Sequence, residues 1–449
     1  MDRSAIDRAL TFYEEVTLRR NLFTPPTGFS SRLPFESAEL VRDAWNLYIQ
    51  SGAPPRIALY VHVPFCAASK CAFCMYYSRP MPSSEDLESY LHYLEHVAGY
   101  FAPAIAKTTL ESLYVGGGTP SILTLPQLDR LLERVVGQFR FHPEAERTFE
   151  SSFQTCSHEK LRLIRDKGIN RVSFGLESVE GAVLDSVARR RTDETMVRDQ
   201  VGFARELGFA EVNVDLLIGL PHETAEGLSR GFHLAVGAGA HSVTVYVYRH
   251  RSPVPADALA KYNSEHVPTL LAAARTAAIA LGWIDTVQND HTEYQFFTTS
   301  RHLRDYSLLC YRTRPDPLCG NSTLGLGHTA TSFIADFFRT ECRDKGAAFD
   351  PTVKSWVVEM IATEQRRRLF VTDALNRVGF VDERDFSTLF GLDLRQAFPE
   401  EIAALETIGK GTLARGRFEL IARDRLELAT LSKFFWDQQY LRDLVGENA

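Results

Sequence analysis

Six short β-rich apolar runs, separated by longer stretches of helical periodicity, constrain the fold of this 449-residue chain more than any other feature. The runs are IALYVHV (57–63), SLYVGGG (112–118), RTFESS (147–152), RVSFGLES (171–178), EVNVDLLIGLP (211–221) and SVTVYVY (242–248). Between them lie segments such as SSEDLESYLHYLEHVAGYF, which opens on serine and an acidic first turn and then carries apolar residues at helical spacing. Strands alternating with helices pair in parallel through crossover connections. Six such units predict an α/β fold built on a parallel (β/α) barrel, partial or complete.

In a barrel of this kind chemistry collects at the carboxyl ends of the strands. Cys66, Cys71 and Cys74 follow the first run directly, and Gly116, Gly117, Gly118, Thr119 and Pro120 follow the second. Glu150 closes the third run, Glu177 the fourth, and Asp215 sits in the fifth. All of them are expected at one rim.

Around this barrel, residues 1–55 read as an N-terminal arm with one or two helices, 56–345 as the barrel and its extension, and 346–449 as a small, mostly helical C-terminal domain. That last segment combines helix-like stretches with a short strand pair, a winged-helix-like pattern. A net charge of -7 argues against a nucleic-acid surface, which needs clustered excess lysine and arginine. The basic runs 189–191 and 366–368 read as solvated helix faces. No uncharged apolar run reaches about 18 residues, and the charged start MDRSAIDRALTFYEEV lacks the apolar core of a signal peptide. A cytoplasmic protein without membrane or nucleic-acid partners is expected. Seven cysteines, an odd number, then point to reduced thiols and not to a disulfide framework.

Three thiols within nine residues suit an iron–sulfur cube, which three thiolates can hold while one iron stays open to chelate a small molecule. Zinc competes, because His62 would supply a fourth ligand. Unligated thiols are the third reading, and spacing alone leaves all three open. The glycines at 116–118 could equally form a plain tight turn, Glu150 and Asp215 rim salt bridges, and Tyr76 and Tyr77 ordinary packing, with Arg189 facing water.

The stretches YVHVPFC, YVGGGTPSIL, INRVSFGLES, VNVDLLIGLPHET and LGLGHTATSFI occur in one order between about Ala58 and Arg339. Together they resemble the radical S-adenosylmethionine (SAM) superfamily, in the group related to oxygen-independent coproporphyrinogen III oxidase and the haem chaperones. The likeness runs on, more weakly, through FGLDLRQAFPEEIAALETIGKG. The resemblance implies that Cys66, Cys71 and Cys74 hold a [4Fe-4S] cluster and that Tyr76 lies beside SAM. Gly117 and Gly118 would let backbone approach the methionyl amine, and Glu150 would help bind SAM. Arg189 would meet a carboxylate and Asp215 would accept ribose hydrogen bonds. No hydrogen-abstracting protein side chain is assigned.

Against that pattern, four residues separate Cys66 from Cys71 where the family has three, and Tyr76 stands where the oxidase has a fourth cysteine. GLES replaces GVQS, placing Glu177 at a glutamine position, and ARRRT replaces GRxHT. The stretch 291–322 also diverges. These differences crowd the substrate side. The expectation is a radical SAM enzyme that cleaves SAM to a 5′-deoxyadenosyl radical and acts on a small-molecule carbon centre, with an electron donor such as flavodoxin or ferredoxin. Relatives of the oxidase type can bind two SAM molecules, and methylation or cyclopropanation with the second is the leading expectation. Coproporphyrinogen oxidation or haem processing, a haem chaperone and a zinc-structured protein are the alternatives.

Overall fold

The computed structural model describes residues 2–20, 31–32, 36–50, 56–67, 70–74, 76–80, 82–248, 266–285, 294–299, 321–334, 338–343, 346, 348–423 and 425–445. Most of the divergent 291–322 stretch, with Cys310 and Cys319, lies outside them.

All six expected runs are strands: β1 (Arg56–Val63), β2 (Leu110–Gly117), β3 (Phe141–Ser151), β4 (Arg171–Glu177), β5 (Glu211–Ile218) and β6 (Ser242–Val247). They lie side by side in chain order and every neighbouring pair is parallel. Because the order never reverses, each crossover steps the same way around the sheet. Beyond β6 the sheet continues antiparallel through β7 (Tyr294–Thr298) to the two-residue strand Ile284–Asp285. On the other side β8 (Asn321–Leu326) adds a seventh parallel strand beside β1. Then follow β9 (Thr331–Ile334), β10 (Phe338–Cys342), β11 (Trp356–Met360) and Ser31–Arg32, all antiparallel. Among the described residues the two ends of this 13-stranded sheet do not pair with each other, so the barrel is partial.

Strand periodicity sorts the side chains into two buried faces. Val115, Phe149, Val172, Phe174, Val212, Val214, Val243 and Val245 belong to the apolar core. The crossover helices supply its other side. In Ser84–Phe101 the residues Leu87, Leu91, Leu94, Ala98 and Phe101 recur at helical spacing and are buried. Ser83 caps that helix, accepting from the Asp86 amide at 3.0 Å while Asp86 accepts from the Ser83 amide at 3.2 Å. The alternate strand positions hold Thr148, Arg171, Ser173, Glu211, Asn213, Ser242 and Thr244, all buried and polar. The strands therefore read apolar and polar in turn, although these residues of both faces are buried.

The ends of the chain divide between two cores. Ala38, Val41 and Trp45, from the helix Ala38–Gln50, join the sheet's core. Ile6 and Tyr13, from the helix Arg3–Arg20, join a second core with Phe370, Phe386, Phe398, Ile402, Phe418 and Phe435. A separate three-stranded antiparallel sheet (Phe380–Asp382, Arg417–Leu420, Gly411–Ala414) belongs to that C-terminal unit. Past residue 346, β11 is hydrogen-bonded into the large sheet between β10 and Ser31–Arg32.

Candidate functional site

The cysteine loop leaves the carboxyl end of β1. Two backbone bonds fasten its ends together: Arg79 N donates to Pro64 O at 2.6 Å and Cys66 N to Arg79 O at 2.9 Å. A turn within it is closed by Cys74 N donating to Cys71 O at 3.1 Å. The glycines after β2 press against its root. Gly118 N donates to Val63 O at 2.8 Å, and a Cβ on Gly118 would lie 2.4 Å from Phe65 O. Gly117 has φ +113, in the region that favours glycine, and a Cβ there would lie 2.6 Å from His62 Nδ1. The glycine motif is therefore required by close backbone approach.

Cys66, Cys71 and Cys74 are free and half-buried. Burial pushes the Cys71 thiol up, with Arg189 pulling it back, and pushes Cys74 to about 11. Negative charge on Cys66 or Cys71 raises Cys74 further, so the three sulfurs are within electrostatic reach of one another. Thiols held this way release protons when a metal binds. Among the described residues, no group of three or more His, Cys, Asp and Glu side chains is gathered to hold one metal ion. His62, the fourth zinc ligand considered from the sequence, is otherwise engaged. Its Nε2 lies 3.0 Å from Tyr77 O and its Nδ1 2.7 Å from the Tyr60 hydroxyl. A carbonyl only accepts, so Nε2 carries the hydrogen and the neutral Nδ1 accepts from Tyr60. The donor set fits a thiolate-held iron–sulfur cluster better than a closed Cys3His zinc site.

Behind the cysteine loop, Glu150 is half-buried near the end of β3. Tyr114, on β2, donates from its hydroxyl to Glu150 Oε1, and Gly117 N donates to Oε2 at 3.1 Å. Burial pushes the Glu150 carboxyl up to about 7, with the Tyr114 hydroxyl holding it down and the charge of Asp215 adding to the rise. A Cβ on Gly116 would lie 2.6 Å from Glu150 Oε2, so that glycine makes room for the carboxylate.

Asp215 completes this group from β5. Register places Gly175, Asp215 and Thr244 in one row, and Glu150, Ser173, Asn213 and Ser242 in the next. Asp215 accepts from Asn213 Nδ2 at 2.6 Å and from Ser173 Oγ at 2.9 Å. Burial raises its carboxyl, and Arg171 with these hydrogen bonds opposes the rise. Glu150 and Asp215, distant in sequence, thus share one electrostatic environment.

Arg189 lies on the cysteine side. Its Nη2 donates to Gly175 O at 2.7 Å and pairs with Glu177 Oε1 at 3.4 Å, while Nη1 lies 3.9 Å from Cys71 Sγ. The solvated reading of Arg189 fails, because its side chain is only 20% exposed. Tyr76 is the outlier of the expected set: it is 54% exposed on the cysteine loop, although its charge would still be felt by Tyr60. Tyr114, Tyr60, Ser173 and Asn213 were not singled out from the sequence. Their strand alternation was visible, but Tyr114 and Ser173 find their partners on neighbouring strands, Asn213 bonds across a strand pair as well as within its own, and Tyr60 is tied to His62 two residues along its own strand.

Comparison with known proteins identifies the loop and the strands around it. A model described as the radical SAM superfamily matches residues 60–233. Residues 60–233 form a radical SAM domain. This radical SAM chain is 25% identical to the oxygen-independent coproporphyrinogen III oxidase of Salmonella typhimurium, over 94% of each chain. It is 30% identical to the oxidase of Escherichia coli K12, over 63% of this chain and 62% of that one. It is 31% identical to the haem chaperone HemW of Bacillus subtilis, over 42% and 49%. The solved Escherichia coli coproporphyrinogen III oxidase has the same fold, with a TM-score of 0.68 at 22% identity, covering 91% of this chain and 96% of that chain. Radical SAM enzymes use a [4Fe-4S] cluster and SAM, and these are the cofactors of this one.

Proposed function

We propose that this radical SAM enzyme is an oxidoreductase of the coproporphyrinogen-oxidase type, acting anaerobically on a tetrapyrrole or closely related substrate. The observation that carries this reading is the extent of the likeness to the Salmonella oxidase, 94% of each chain, whereas the Bacillus haem chaperone matches 42% of this one. That likeness extends past the barrel into the C-terminal unit. The likeness to the oxidase favours oxidation over methyl or methylene transfer, so the reading moves from methylation or cyclopropanation to oxidation.

Cys66, Cys71 and Cys74 would hold the cluster, and Gly117, Gly118, Glu150 and Asp215 would receive SAM. When bound, the cluster supplies the electron that splits SAM and so gives a radical able to abstract hydrogen from carbon. Glu150 would accept hydrogen bonds from the cofactor's amine while Tyr114 and Gly117 N fix its two oxygens in place. Asp215, held by Ser173 and Asn213, would accept from ribose hydroxyls. The buried polar rows of β3 to β6 keep these groups oriented without bulk water, which favours a reactive intermediate's survival. Tyr76, exposed on the cysteine loop, would lie beside SAM.

The test is anaerobic reconstitution, reduction and incubation with SAM, coproporphyrinogen III and a one-electron acceptor for the electron released when the substrate radical loses carbon dioxide. Vinyl products with release of carbon dioxide support the reading. Cleavage of SAM with untouched coproporphyrinogen overturns the substrate class, and methyl-labelled SAM then distinguishes transfer of its methyl group from hydrogen abstraction alone. Tight haem binding without turnover would favour the chaperone.

A further inference from the structure

The segment Gly181–Arg189, which follows β4, grips the middle of the cysteine loop in three ways. Ala72 N donates to Val187 O at 2.9 Å. Phe73 packs against an apolar cluster of Val183, Val187, Leu217 and Leu220. Arg189 Nη1 lies 3.9 Å from Cys71 Sγ. The chain turns sharply to make the last contact: Ala188 has φ +55, and Arg189 N donates back to Leu184 O at 2.9 Å. The guanidinium emerges under the loop, not toward water.

Glu177 holds the other side of that guanidinium under backbone strain. It has φ +66, a conformation uncommon for a residue with a side chain, at a register shift between β4 and β5. The irregularity swings its carboxylate to 3.4 Å from Arg189 Nη2. Gly175 leaves the space, since a Cβ there would lie 2.8 Å from both Arg189 Nη2 and Glu177 Oε1. Arg189 thus pairs with a carboxylate of the chain itself, that of Glu177.

We propose that Arg189 is a positioning residue of the cluster, fixing the Cys71 sulfur and lending it positive charge, with Glu177 limiting how much of that charge the cluster feels. The inference rests on the cysteines holding a cluster, as in the function proposed above. Positive charge beside a thiolate ligand favours the reduced, more negative cluster, and a carboxylate beyond the cation offsets this. A guanidinium shared between Cys71 and Glu177 sets the potential between those limits.

The experiment uses full-length protein reconstituted anaerobically, without SAM, as wild type, Arg189→Gln, Arg189→Lys and Glu177→Gln. Iron content is measured, and the cluster is titrated with dithionite as the one-electron donor while paramagnetic resonance follows the reduced form. Arg189→Gln should keep its iron and move the midpoint to more negative potential, with Arg189→Lys between it and wild type. Glu177→Gln, nearly isosteric, should move the midpoint the other way. Equal midpoints in all four proteins, or shifts of one sign for Arg189→Gln and Glu177→Gln, overturn the role. If Arg189→Gln fails to retain iron, the Glu177→Gln shift still decides. Wild-type protein that assembles no cluster overturns the proposed function as well.

Discussion

The Tyr114 hydroxyl and the Glu150 carboxylate meet across neighbouring parallel strands, the tyrosine taking Oε1 while the Gly117 amide takes Oε2 at 3.1 Å. Tyr114→Phe removes a bond that orients Glu150 and helps keep it ionised against burial. A lost bond of this kind is worth about 1 kcal/mol, so SAM affinity at neutral pH should fall about fivefold. The carboxyl, already near 7, should titrate higher, and the affinity lost should return as pH rises. Calorimetric titrations at several pH values check this; an unchanged pH profile would separate Tyr114 from Glu150's ionisation.

Glu150→Gln and Asp215→Asn test the carboxylates themselves. A buried charge-assisted hydrogen bond is worth roughly 1.5–3 kcal/mol, so each change should weaken SAM binding about ten- to a hundredfold. Iron content should not change, because neither residue touches the cysteine loop's sulfurs. Wild-type affinity in both variants would remove them from the cofactor site and leave the cluster assignment standing.

Replacing Cys66, Cys71 or Cys74 singly by Ala should abolish the brown chromophore and SAM cleavage together. Cys156 and Cys342, both buried, should be dispensable for iron binding. Cys342 is occupied with the Tyr93 hydroxyl 3.3 Å away, inside the core. Iron analysis of the five variants decides, and full iron in any of the first three would exclude that residue as a ligand.

Gly118→Ala should destabilise the fold and loosen the cysteine loop together. Its Cβ would lie 2.4 Å from Phe65 O and 2.7 Å from Phe65 N, backbone atoms that cannot rotate away. Overpacking of this kind costs about 1–3 kcal/mol. Urea denaturation of the apo-protein should show a lower midpoint, and reconstitution a reduced iron yield. A variant as stable as wild type would mean that the loop's root shifts without cost.

His62 gives the apo-protein an acid limit. Burial holds its imidazole at about 4, below the ordinary 6.5, with the Tyr77 carbonyl opposing the shift. A lowered histidine stabilises the fold above its unfolded value, and that stabilisation is lost as pH falls from about 6.5 toward 4. The full effect is on the order of 3 kcal/mol. His62→Leu should flatten the acid side of the stability profile measured by urea denaturation; an unchanged slope would show that other groups govern it.

The six strands and the loops that carry chemistry were legible in the chain, because strand and helix periodicities are local properties, and their alternation implied parallel neighbours. The sequence also placed Cys66, Cys71 and Cys74 on one short loop, and Gly117 and Gly118 after a strand, since adjacency in sequence keeps such groups adjacent in space. Tertiary structure decided the partnerships. That Arg189 turns inward to Cys71 and Glu177, when it sits in a run of three arginines, depends on the turn at Ala188 and the space left by Gly175. That His62 bridges Tyr60 and the Tyr77 carbonyl, leaving no nitrogen for zinc, depends on how the cysteine loop folds back. Tyr114 met Glu150, and Asp215 met Ser173, only through the register of neighbouring strands. The barrel stayed open, and the first helix joined the C-terminal core, because these outcomes depend on which apolar faces find each other after the chain has collapsed. Local sequence sets what each segment can form, whereas pairing between distant segments is chosen by burial and hydrogen bonding in the assembled fold.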